Sequence, residues 1–491
     1  MYTFSYILRR AANLFYNNGV TDGKTFQTYP ETLQNVKKLA GGLSDMGIKE
    51  GSVVAVADWN TIKFYELLFA ITGIGANLYP VNIQLPPKQI KYTLEKSETD
   101  YLFYSEDFTK LAQLFDNSFF INDLKYSDPK SIKAREDRDA ITLFTSGTTG
   151  LPKAVRYSHG KMIQGALSIA HQLAEFDTKA SLDSSDIIAP QIPIYHLLAW
   201  GTVFIAPYLG ARLMMGGRFI PDKTAKLVEE GKITWLNCVP TMMNMLLETG
   251  MNLKGLKALI GGSTIQSGLV NRIEKNGVKF SSIYGGTDML AASVSINTAY
   301  AKEKGIQYAR KVSHPVPFAE FKLKKLGTEG QENMGEIYFR APWVPEGYYK
   351  DEEKSVKSYK EGWFKTGDIG IKMKDGGISI LDRVTDAIKS GGEWIPSSIL
   401  ESFISEIIWV QTAVVLGKPD EKWGERPVAV IVKKGDDGNE ESLRSELQKR
   451  AEEGDLKEWW IPKDIRFLDK VPLTSTGKVN KSELRKELNI G

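Results

Sequence analysis

The sequence is poor in the residues that disulfide-stabilised and metal-binding proteins need. Among its 491 residues there is one cysteine, Cys238, which excludes a disulfide framework and a cysteine-based metal site. Cys238 lies in an apolar, strand-like run, so we expect a buried thiol rather than a nucleophile. The four histidines are scattered and show no HExxH spacing, the pattern of a zinc metalloprotease.

Charge of one sign and long apolar helices are also missing. The formal net charge of +3 is close to neutral for this length, which gives no support to a nucleic-acid partner. Residues 187–211 carry no Asp, Glu, Lys or Arg, but they include three prolines and His196. A helix in lipid would not tolerate these breaks, so we expect buried core and no integral membrane segment. The N-terminus lacks the order of a signal peptide, and we therefore predict a cytoplasmic protein.

Length and periodicity predict an α/β protein of more than one domain. Apolar runs such as 53–58 and 76–81 alternate with helical patterns such as 31–47, which favours parallel sheets covered by helices on both faces. A helix is also expected at 197–206. After about residue 310 short strand–turn units replace this rhythm, which indicates an antiparallel, barrel-like subdomain. The predicted boundaries are an N-terminal domain at 1–382 with this subdomain at about 310–382, a connecting region at 383–390 and a small α+β domain at 391–491.

A loop rich in glycine and hydroxyl residues follows the predicted strand at 140–144. It reads Thr-Ser-Gly-Thr-Thr-Gly-Leu-Pro-Lys over residues 145–153. Glycines allow backbone N–H groups to converge on an anion, the hydroxyls add donors, and a lysine suits phosphate oxygens. The spacing differs from GxxxxGK[ST], so the loop is not that of a motor or switch ATPase.

Four further stretches contain groups that suit a nucleotide site. The segment 282–288, Ser-Ile-Tyr-Gly-Gly-Thr-Asp, reads as a strand that ends in a glycine turn with an aromatic ring and a carboxylate. Open α/β sheets bind ligands at that edge. The others are Gly-Trp-Phe-Lys-Thr-Gly-Asp at 362–368, Leu-Asp-Arg at 381–383 followed by Lys-Ser-Gly-Gly-Glu at 389–393, and Pro-Leu-Thr-Ser-Thr-Gly-Lys at 472–478.

Together, and in this order, these five stretches resemble the acyl-adenylate-forming enzymes, the superfamily of acyl-CoA synthetases, firefly luciferase and peptide-synthetase adenylation domains. Among them the chain looks most like fatty acyl-CoA synthetases. Weaker matches are Pro-Ile-Tyr-His at 193–196 and Leu-Ile-Gly-Gly-Ser at 259–263. The family usually has Glu where this chain has Asp288. Because the side chain of Asp is shorter, direct contact with the metal and contact through a bridging water both stay open. The resemblance also implies that the region at 383–390 is a hinge and that the C-terminal domain at 391–491 is mobile. The family's hinge position corresponds to Thr385, where many relatives carry a charged residue.

The resemblance implies a role for each matching residue. It implies Lys478, Thr287 and His196 as catalytic residues, with Lys478 bridging the substrate carboxylate and the α-phosphate. It implies Thr148 and Asp288 as ligands of Mg²⁺. The implied ATP- and CoA-binding residues are Thr145, Ser146, Gly147, Thr148, Thr149, Gly150, Lys153, Gly262, Ser263, Tyr284, Gly285, Thr287, Asp368, Arg383, Ser390, Gly391 and Gly392.

The resemblance implies an ATP-dependent, AMP-forming ligase that converts a carboxylic acid to an acyl-adenylate and then to a thioester of CoA. We favour a fatty or other apolar acid, because Trp200 and residues 289–292 beside the motifs are apolar, although such residues equally suit a core. The alternatives are an aryl-acid or short hydroxy-acid CoA ligase and a stand-alone enzyme that loads a carrier protein. A non-catalytic adenylate-binding protein is a further alternative, opposed by the presence of Lys478, Asp368 and Lys153. The family also allows a homodimer.

Overall fold

The structure is a computed structural model, and it describes residues 3–128, 134–145, 151–326, 333–474 and 478–490. Five residues of the predicted phosphate loop (Ser146, Gly147, Thr148, Thr149 and Gly150) lie outside the described residues.

The strands of the described residues are β1 (Gly19–Thr21), β2 (Phe26–Thr28), β3 (Val53–Ala57), β4 (Asn77–Pro80), β5 (Tyr101–Tyr104), β6 (Ser118–Phe120), β7 (Asp139–Phe144), β8 (Ala154–Ser158), β9 (Ile187–Pro190), β10 (Arg212–Met214), β11 (Trp235–Cys238), β12 (Lys257–Gly261), β13 (Lys279–Gly286), β14 (Leu290–Val294), β15 (Val312–Pro315), β16 (Glu320–Lys325), β17 (Met334–Arg340), β18 (Tyr359–Lys360), β19 (Trp363–Lys372), β20 (Ile378–Arg383), β21 (Ile388–Ser390), β22 (Glu393–Ile395), β23 (Val410–Asp420), β24 (Gly424–Lys433) and β25 (Asp464–Phe467). The helices are α1 (Phe4–Leu14), α2 (Tyr29–Asp45), α3 (Ile62–Gly73), α4 (Pro87–Ser97), α5 (His159–Glu175), α6 (Leu197–Trp200), α7 (Thr202–Leu209), α8 (Pro221–Glu229), α9 (Pro240–Glu248), α10 (Ser267–Lys275), α11 (Ala299–Lys304), α12 (Ile306–Ala309), α13 (Glu352–Ser358), α14 (Ser397–Ser405), α15 (Glu440–Glu452) and α16 (Lys481–Glu487).

Two large sheets confirm the predicted α/β class. The first has the strand order β6-β5-β3-β4-β7-β8, and its strands are parallel except at the β7–β8 pair. Helix α2 packs on α3, and it begins where Thr28 and Glu31 form a capping box. That cap explains why the helix starts two residues before the predicted position.

The second sheet has fourteen strands and joins the parallel part to the antiparallel part of the chain. Its parallel strands run in the order β1-β10-β9-β11-β12-β13. Strands β14 and β15 then continue antiparallel into β20, β19, β17 and β16. The predicted antiparallel unit after residue 310 is therefore hydrogen-bonded to the parallel sheet through β14, a strand that the periodicity did not predict.

The segment 187–211 forms buried core, as predicted, but its expected helix at 197–206 is wrong over the five residues 197–201. Right-handed helix begins only at Thr202, and the backbone of Leu197–Trp200 has positive φ angles of 43–51°. The sequence Leu-Leu-Ala-Trp suits a right-handed helix, so tertiary contacts must impose the left-handed conformation. In the described part of the chain no helix is both long and apolar enough to cross a bilayer.

The C-terminal part forms a separate sheet of five strands, with β25 parallel to β24 and the other pairs antiparallel. Helices α14 and α15 cover a core of its own, which includes Leu400, Ile431 and Leu443. Helix α14 also contacts α10 of the large body. The C-terminal part therefore packs on the large body in the orientation that presents Lys478.

Candidate active site

A cavity of about 160 Å³ opens at the carboxyl ends of the parallel strands of the second sheet. Open α/β sheets bind ligands at this edge, because strand-end loops diverge there. The polar lining residues include Thr145, Thr287, Asp288, Arg383 and Lys478, and Arg383 interacts electrostatically with both Asp288 and Lys478. We call these five residues the polar end. The apolar lining residues, which we call the apolar end, include Met162, Ala166, Ile169, Ile192, Leu197, Trp200, Val239, Ile283, Leu290 and Ala291.

The end of β13 supplies the first group of predicted residues. The register shifts between Tyr284 and Gly285, and this irregularity turns Thr287 and Asp288 into the cavity. A side chain at Gly285 would place its Cβ 2.3 Å from the carbonyl oxygen of Leu290, so only glycine fits there. The hydroxyl of Tyr157, on β8, donates to the carbonyl oxygen of Thr287 over 2.6 Å and fixes the turn.

Asp368 connects two other predicted residues beside the cavity. Its carboxylate accepts a 2.5 Å hydrogen bond from the hydroxyl of Tyr284 and pairs with Nε of Arg383 at 2.9 Å. Asp368 is buried, and desolvation raises the pKa of its carboxyl, while the Arg383 cation opposes that rise. Tyr284 and Asp368 do not line the cavity themselves, but Asp368 pairs with Arg383, which does. An aromatic ring, a carboxylate and a cation thus lie side by side.

Asp288 is the acidic group of the polar end. Desolvation raises the pKa of its carboxyl, and the Lys153 cation opposes the rise. Its Oδ1 is buried without a hydrogen-bond partner among the described residues, whereas its backbone carbonyl accepts from Tyr359 at 3.3 Å. A buried carboxylate oxygen without a donor suits a bound cation or a water molecule.

Lys153 follows the predicted phosphate loop and lies beside this group. Its Nζ donates to the hydroxyl of Tyr348 over 2.7 Å and lies 3.9 Å from the centre of that ring. Burial lowers the pKa of Lys153. Lys153 does not line the cavity in this structure, whereas Thr145, the last described residue before the loop, does.

Lys478 reaches the cavity from the C-terminal part of the chain. Its Cε lies 3.1 Å from the position that a Cβ on Gly262 would occupy, and Gly262 has the left-handed φ of 89°. Glycine is therefore required on both counts, for conformation and for space. Desolvation and, to a smaller extent, the neighbouring Arg383 cation lower the pKa of Lys478 to about 8, while Asp368 opposes both. Ser263 follows Gly262, is exposed and does not line the cavity.

The glycine loop of the C-terminal part lies away from the cavity. Ser390, Gly391 and Gly392 form the turn between β21 and β22, and none of them lines the cavity. The N–H of Gly391 donates to the carbonyl oxygen of Trp423 over 2.8 Å, and the Trp423 ring is half-exposed. In this orientation the chain therefore brings Lys478 to the cavity and keeps this loop outside it.

His196 lines the cavity, together with Leu197, Trp200 and Gly201. Of the apolar residues that the sequence singled out, Trp200, Leu290 and Ala291 line the cavity, whereas Met289 and Ala292 are buried in the core. Helix α5 supplies a wall that the motifs did not reveal. Its residues there are Met162, Gly165, Ala166 and Ile169. The adjacent small residues Gly165 and Ala166 were the one feature of the sequence that could have indicated this wall.

Cys238 is not part of the site. It is fully buried at the end of β11, and burial raises the pKa of its thiol. The predicted core thiol is confirmed.

Comparisons with known proteins agree with this geometry. Residues 8–349 match the AMP-binding enzyme family, and residues 400–478 match the AMP-binding enzyme C-terminal domain. The chain is 31% identical to a long-chain-fatty-acid–CoA ligase of Thermus thermophilus, over 98% of the chain and 94% of that protein. It is 27% identical to a feruloyl-CoA synthase of an Amycolatopsis species, over 98% of both.

The fold is similar to that of solved structures as well. One of them is the o-succinylbenzoate CoA synthetase of Bacillus subtilis, solved with its acyl-adenylate intermediate. It superposes with a TM-score of 0.84 at 24% identity, and the match covers 98% of this chain and 97% of that protein. At that identity the likeness concerns the fold alone, whereas the sequence match extends over most of the chain. The chain therefore belongs to the AMP-binding enzyme family.

Proposed function

We propose that this enzyme is an AMP-forming acyl-CoA synthetase. It activates a carboxylic acid with ATP to an acyl-adenylate and pyrophosphate, and then transfers the acyl group to the thiol of CoA. One observation carries the proposal: Lys478, Arg383 and Asp288 line the same cavity as a large set of apolar side chains. An acid can thus lie with its carboxylate among charges and its chain among hydrocarbons.

The polar end suits ATP. The loop at 145–150 and Lys153 would hold the departing pyrophosphate, with Thr287 at the α-phosphate. Tyr284 would stack on adenine beside the turn of Gly262 and Ser263, and Asp368 with Arg383 would bind the ribose hydroxyls. The contacts of Asp368 support this role, because its carboxylate is already held in place by two donors.

The donor set also fits Mg²⁺. Among the described residues no three His, Cys, Asp or Glu side chains cluster as a metal site. Magnesium usually binds through one or two carboxylates and takes its other ligands from phosphates and water. The unpartnered Oδ1 of Asp288 provides one such oxygen, and Thr148 would provide a second ligand. Bound there, the cation would neutralise charge on the phosphates.

Lys478 would act electrostatically. Attack of a carboxylate on the α-phosphate brings two anions together, so a fixed cation between them lowers the barrier. With a pKa of about 8, Lys478 is mostly protonated at neutral pH. The apolar end and His196 would keep water from the acyl-adenylate, which is a mixed anhydride that water hydrolyses.

The second step needs a different arrangement. Ser390, Gly391 and Gly392 would admit the pantetheine arm of CoA, and they lie outside the cavity while Lys478 is in it. We propose that the domain from 391 to 491 rotates about the hinge region at 383–390, near Thr385, relative to the domain at 1–382. Each orientation would then serve one half-reaction.

The acid is proposed to be apolar and to carry a single charge. Among the described lining residues, Asp288, Arg383 and Lys478 are the only Asp, Glu, Lys or Arg side chains. A second carboxylate at the apolar end would therefore stay unpaired, which costs binding energy. Fatty acids fit this rule. An aryl acid is the second candidate, supported by the flat Trp200 in the wall and by the feruloyl-CoA synthase among the relatives.

A screen of pyrophosphate release tests the proposal. Purified enzyme, ATP and Mg²⁺ are offered palmitate, octanoate, benzoate, 4-hydroxycinnamate or succinate, with and without CoA. We expect AMP and pyrophosphate as products, faster turnover with CoA, and preference for the apolar acids over succinate. Formation of ADP would contradict the chemistry, preference for succinate would contradict the acid class, and turnover that needs an acyl carrier protein instead of CoA would support the carrier-loading alternative. The cytoplasmic location and the homodimer stay predictions from the sequence.

A further inference from the structure

The most unusual backbone in the described part of the chain lies at the apolar end of the cavity, where the proposed acid would bind. Four consecutive residues without a glycine, Leu197, Leu198, Ala199 and Trp200, have φ angles of 49°, 43°, 45° and 51°. An L residue in this conformation brings its Cβ too close to the following carbonyl oxygen. Single residues adopt it, but a complete left-handed turn persists only where the surrounding structure enforces it.

One buried side chain from a neighbouring strand holds this turn. The Nδ2 of Asn237, on β11, donates a 2.7 Å hydrogen bond to the carbonyl oxygen of Ala199. Thr202 adds a weaker bond of 3.1 Å from its hydroxyl to the same oxygen. Asn237 is fully buried, and its Oδ1 has no hydrogen-bond partner among the described residues. The side chain therefore stabilises the turn through its N–H donor. Its unpaired amide oxygen costs free energy in the core.

Strand β11 gives Asn237 a fixed position from which to act. Its backbone pairs with Leu259 on one side and with Pro190 on the other, in the parallel core of the sheet. Its carbonyl oxygen also accepts from the N–H of Gln191 at 3.2 Å. The donor of Asn237 is thus as rigid as the sheet, and it sets where the carbonyl of Ala199 can lie.

The left-handed turn decides which side chains face the cavity. Leu198 and Ala199 are fully buried, whereas Leu197 and Trp200 line the apolar end. The Cη2 of Trp200 lies 3.3 Å from the position of a Cβ on Gly261, so the ring lies against the end of β12. A right-handed turn would place these four side chains in other directions.

We propose that Asn237 is a positioning residue that acts through the carbonyl of Ala199. It holds the turn at 197–200 in its left-handed form and thereby sets the acid-facing wall of Leu197 and Trp200. Asn237 contacts no substrate, and the polar end of the cavity does not depend on it. The part of this inference that concerns acids rests on the proposed function, whereas the part that concerns the turn does not.

Two alanines test the turn without any assay of function. Ala199 and Ala206 are both fully buried, but Ala206 lies in the right-handed helix α7. Glycine is favoured in the left-handed conformation and disfavoured within a right-handed helix. We expect Ala206→Gly to lower the Tm by roughly 2–4 °C and Ala199→Gly to leave it unchanged or raise it. Equal losses in both variants would overturn the left-handed turn, whatever the enzyme activates.

The acid wall is tested with Asn237→Leu, which keeps the size of the side chain and removes its donor. Loss of one hydrogen bond corresponds to a change of up to about tenfold. We expect the KM for octanoate to rise about tenfold, the preference for octanoate over benzoate to change, and the KM for ATP to stay within about twofold. Asn77→Leu, at another buried asparagine in β4, is the matched control and should keep the acid preference. An equal rise of both KM values, or an unchanged octanoate KM, would overturn the proposal; failure of both acids with the unaltered enzyme would instead contradict the proposed acid class.

Discussion

The hydroxyl oxygens of Ser267 and Ser402 lie 2.8 Å apart across the boundary between the large body and the C-terminal part. Next to this pair α10 and α14 approach so closely that a Cβ on Gly268 would lie 2.1 Å from the carbonyl oxygen of Ser405. The N–H groups of Ser267 and Gly268, at the start of α10, donate to the hydroxyls of Ser402 and Ser405 at 3.4 Å. This contact accompanies the placement of Lys478 in the cavity.

Gly268→Ala should therefore impair adenylation. Alanine suits helix α10 itself, but its methyl group forces α14 away, and overpacking of this kind costs about 1–3 kcal/mol. We expect acid-dependent pyrophosphate exchange to fall roughly ten- to hundredfold, with the Tm little changed. Gly216→Ala is the control, because a Cβ there meets nothing within 4 Å. An unaltered exchange rate in Gly268→Ala would show that the contact does not place Lys478.

Lys478→Ala should abolish most adenylation and spare the second step. Removal of one charge that stabilises a transition state costs on the order of 10²–10³-fold in rate. Pyrophosphate exchange should fall by that factor, while preformed acyl-adenylate still reacts with CoA. Normal exchange in this variant would contradict the assigned role.

The pH dependence of adenylation follows from the lowered pKa of Lys478. The lysine is charged below a pKa of about 8 and loses its charge as the pH rises through that value. We expect kcat/KM for ATP, which reports the free enzyme, to decline above about pH 8. Lys478→Arg should retain part of the activity and lose this decline, since a guanidinium stays protonated. The same decline in both enzymes would assign it to another group.

The sequence allowed prediction of the parallel sheet and of the residues at its edge, for two different reasons. Apolar periodicity is local, so strands such as β3 and helices such as α2 are found within a residue or two. The grouping of Tyr284, Asp368 and Arg383 joins segments that are far apart, and only the family resemblance predicted it. The bond from Lys153 to Tyr348 spans 195 positions and belongs to no motif, so it was missed. The left-handed turn was missed because Asn237, 38 positions away, overrides local propensity.

Asp368→Asn should weaken ATP binding and shift the pH profile. The variant loses the charge that pairs with Arg383, and it also loses the negative charge that raises the pKa of Lys478. We expect a higher KM for ATP and a decline in kcat/KM that begins at lower pH than in the unaltered enzyme. Tyr284→Phe, which removes a hydrogen bond but no such charge, should keep the decline near its original pH. A profile for Asp368→Asn that moves to higher pH would contradict the electrostatic reading.

Gly391→Leu should separate the two half-reactions in the opposite sense from Lys478→Ala. Gly391 has a left-handed φ of 59°, and a Cβ there would lie 3.2 Å from the Trp423 ring. The loop lies outside the cavity in the present orientation, so adenylation should continue. We expect the reaction of acyl-adenylate with CoA to slow by at least about tenfold, measured in single turnover. Equal loss in both steps would contradict the division of roles.

Lys481→Met should destabilise the C-terminal part through a buried ion pair. Lys481 lies three residues after Lys478, and its Nζ lies 2.8 Å from Glu401 and donates to the hydroxyl of Ser397 at 2.6 Å. Side chains of this pair are 16% and 13% exposed, and removal of one partner of a buried pair costs about 3–5 kcal/mol. Lys304→Met, at an exposed pair with Glu303, should cost little.

The double variant Lys481→Met/Glu401→Leu distinguishes two causes of the lost stability. One is the loss of the ion pair itself, and the other is the burial of a single unpaired carboxylate. If the cost comes from the carboxylate left alone, replacement of both partners should recover most of the free energy of unfolding, measured in urea. The C-terminal sheet would then hold its loop at 478 by packing, and adenylation should return with stability. Stability that returns without adenylation would instead show that Lys481 positions Lys478 through its contacts with Glu401 and Ser397.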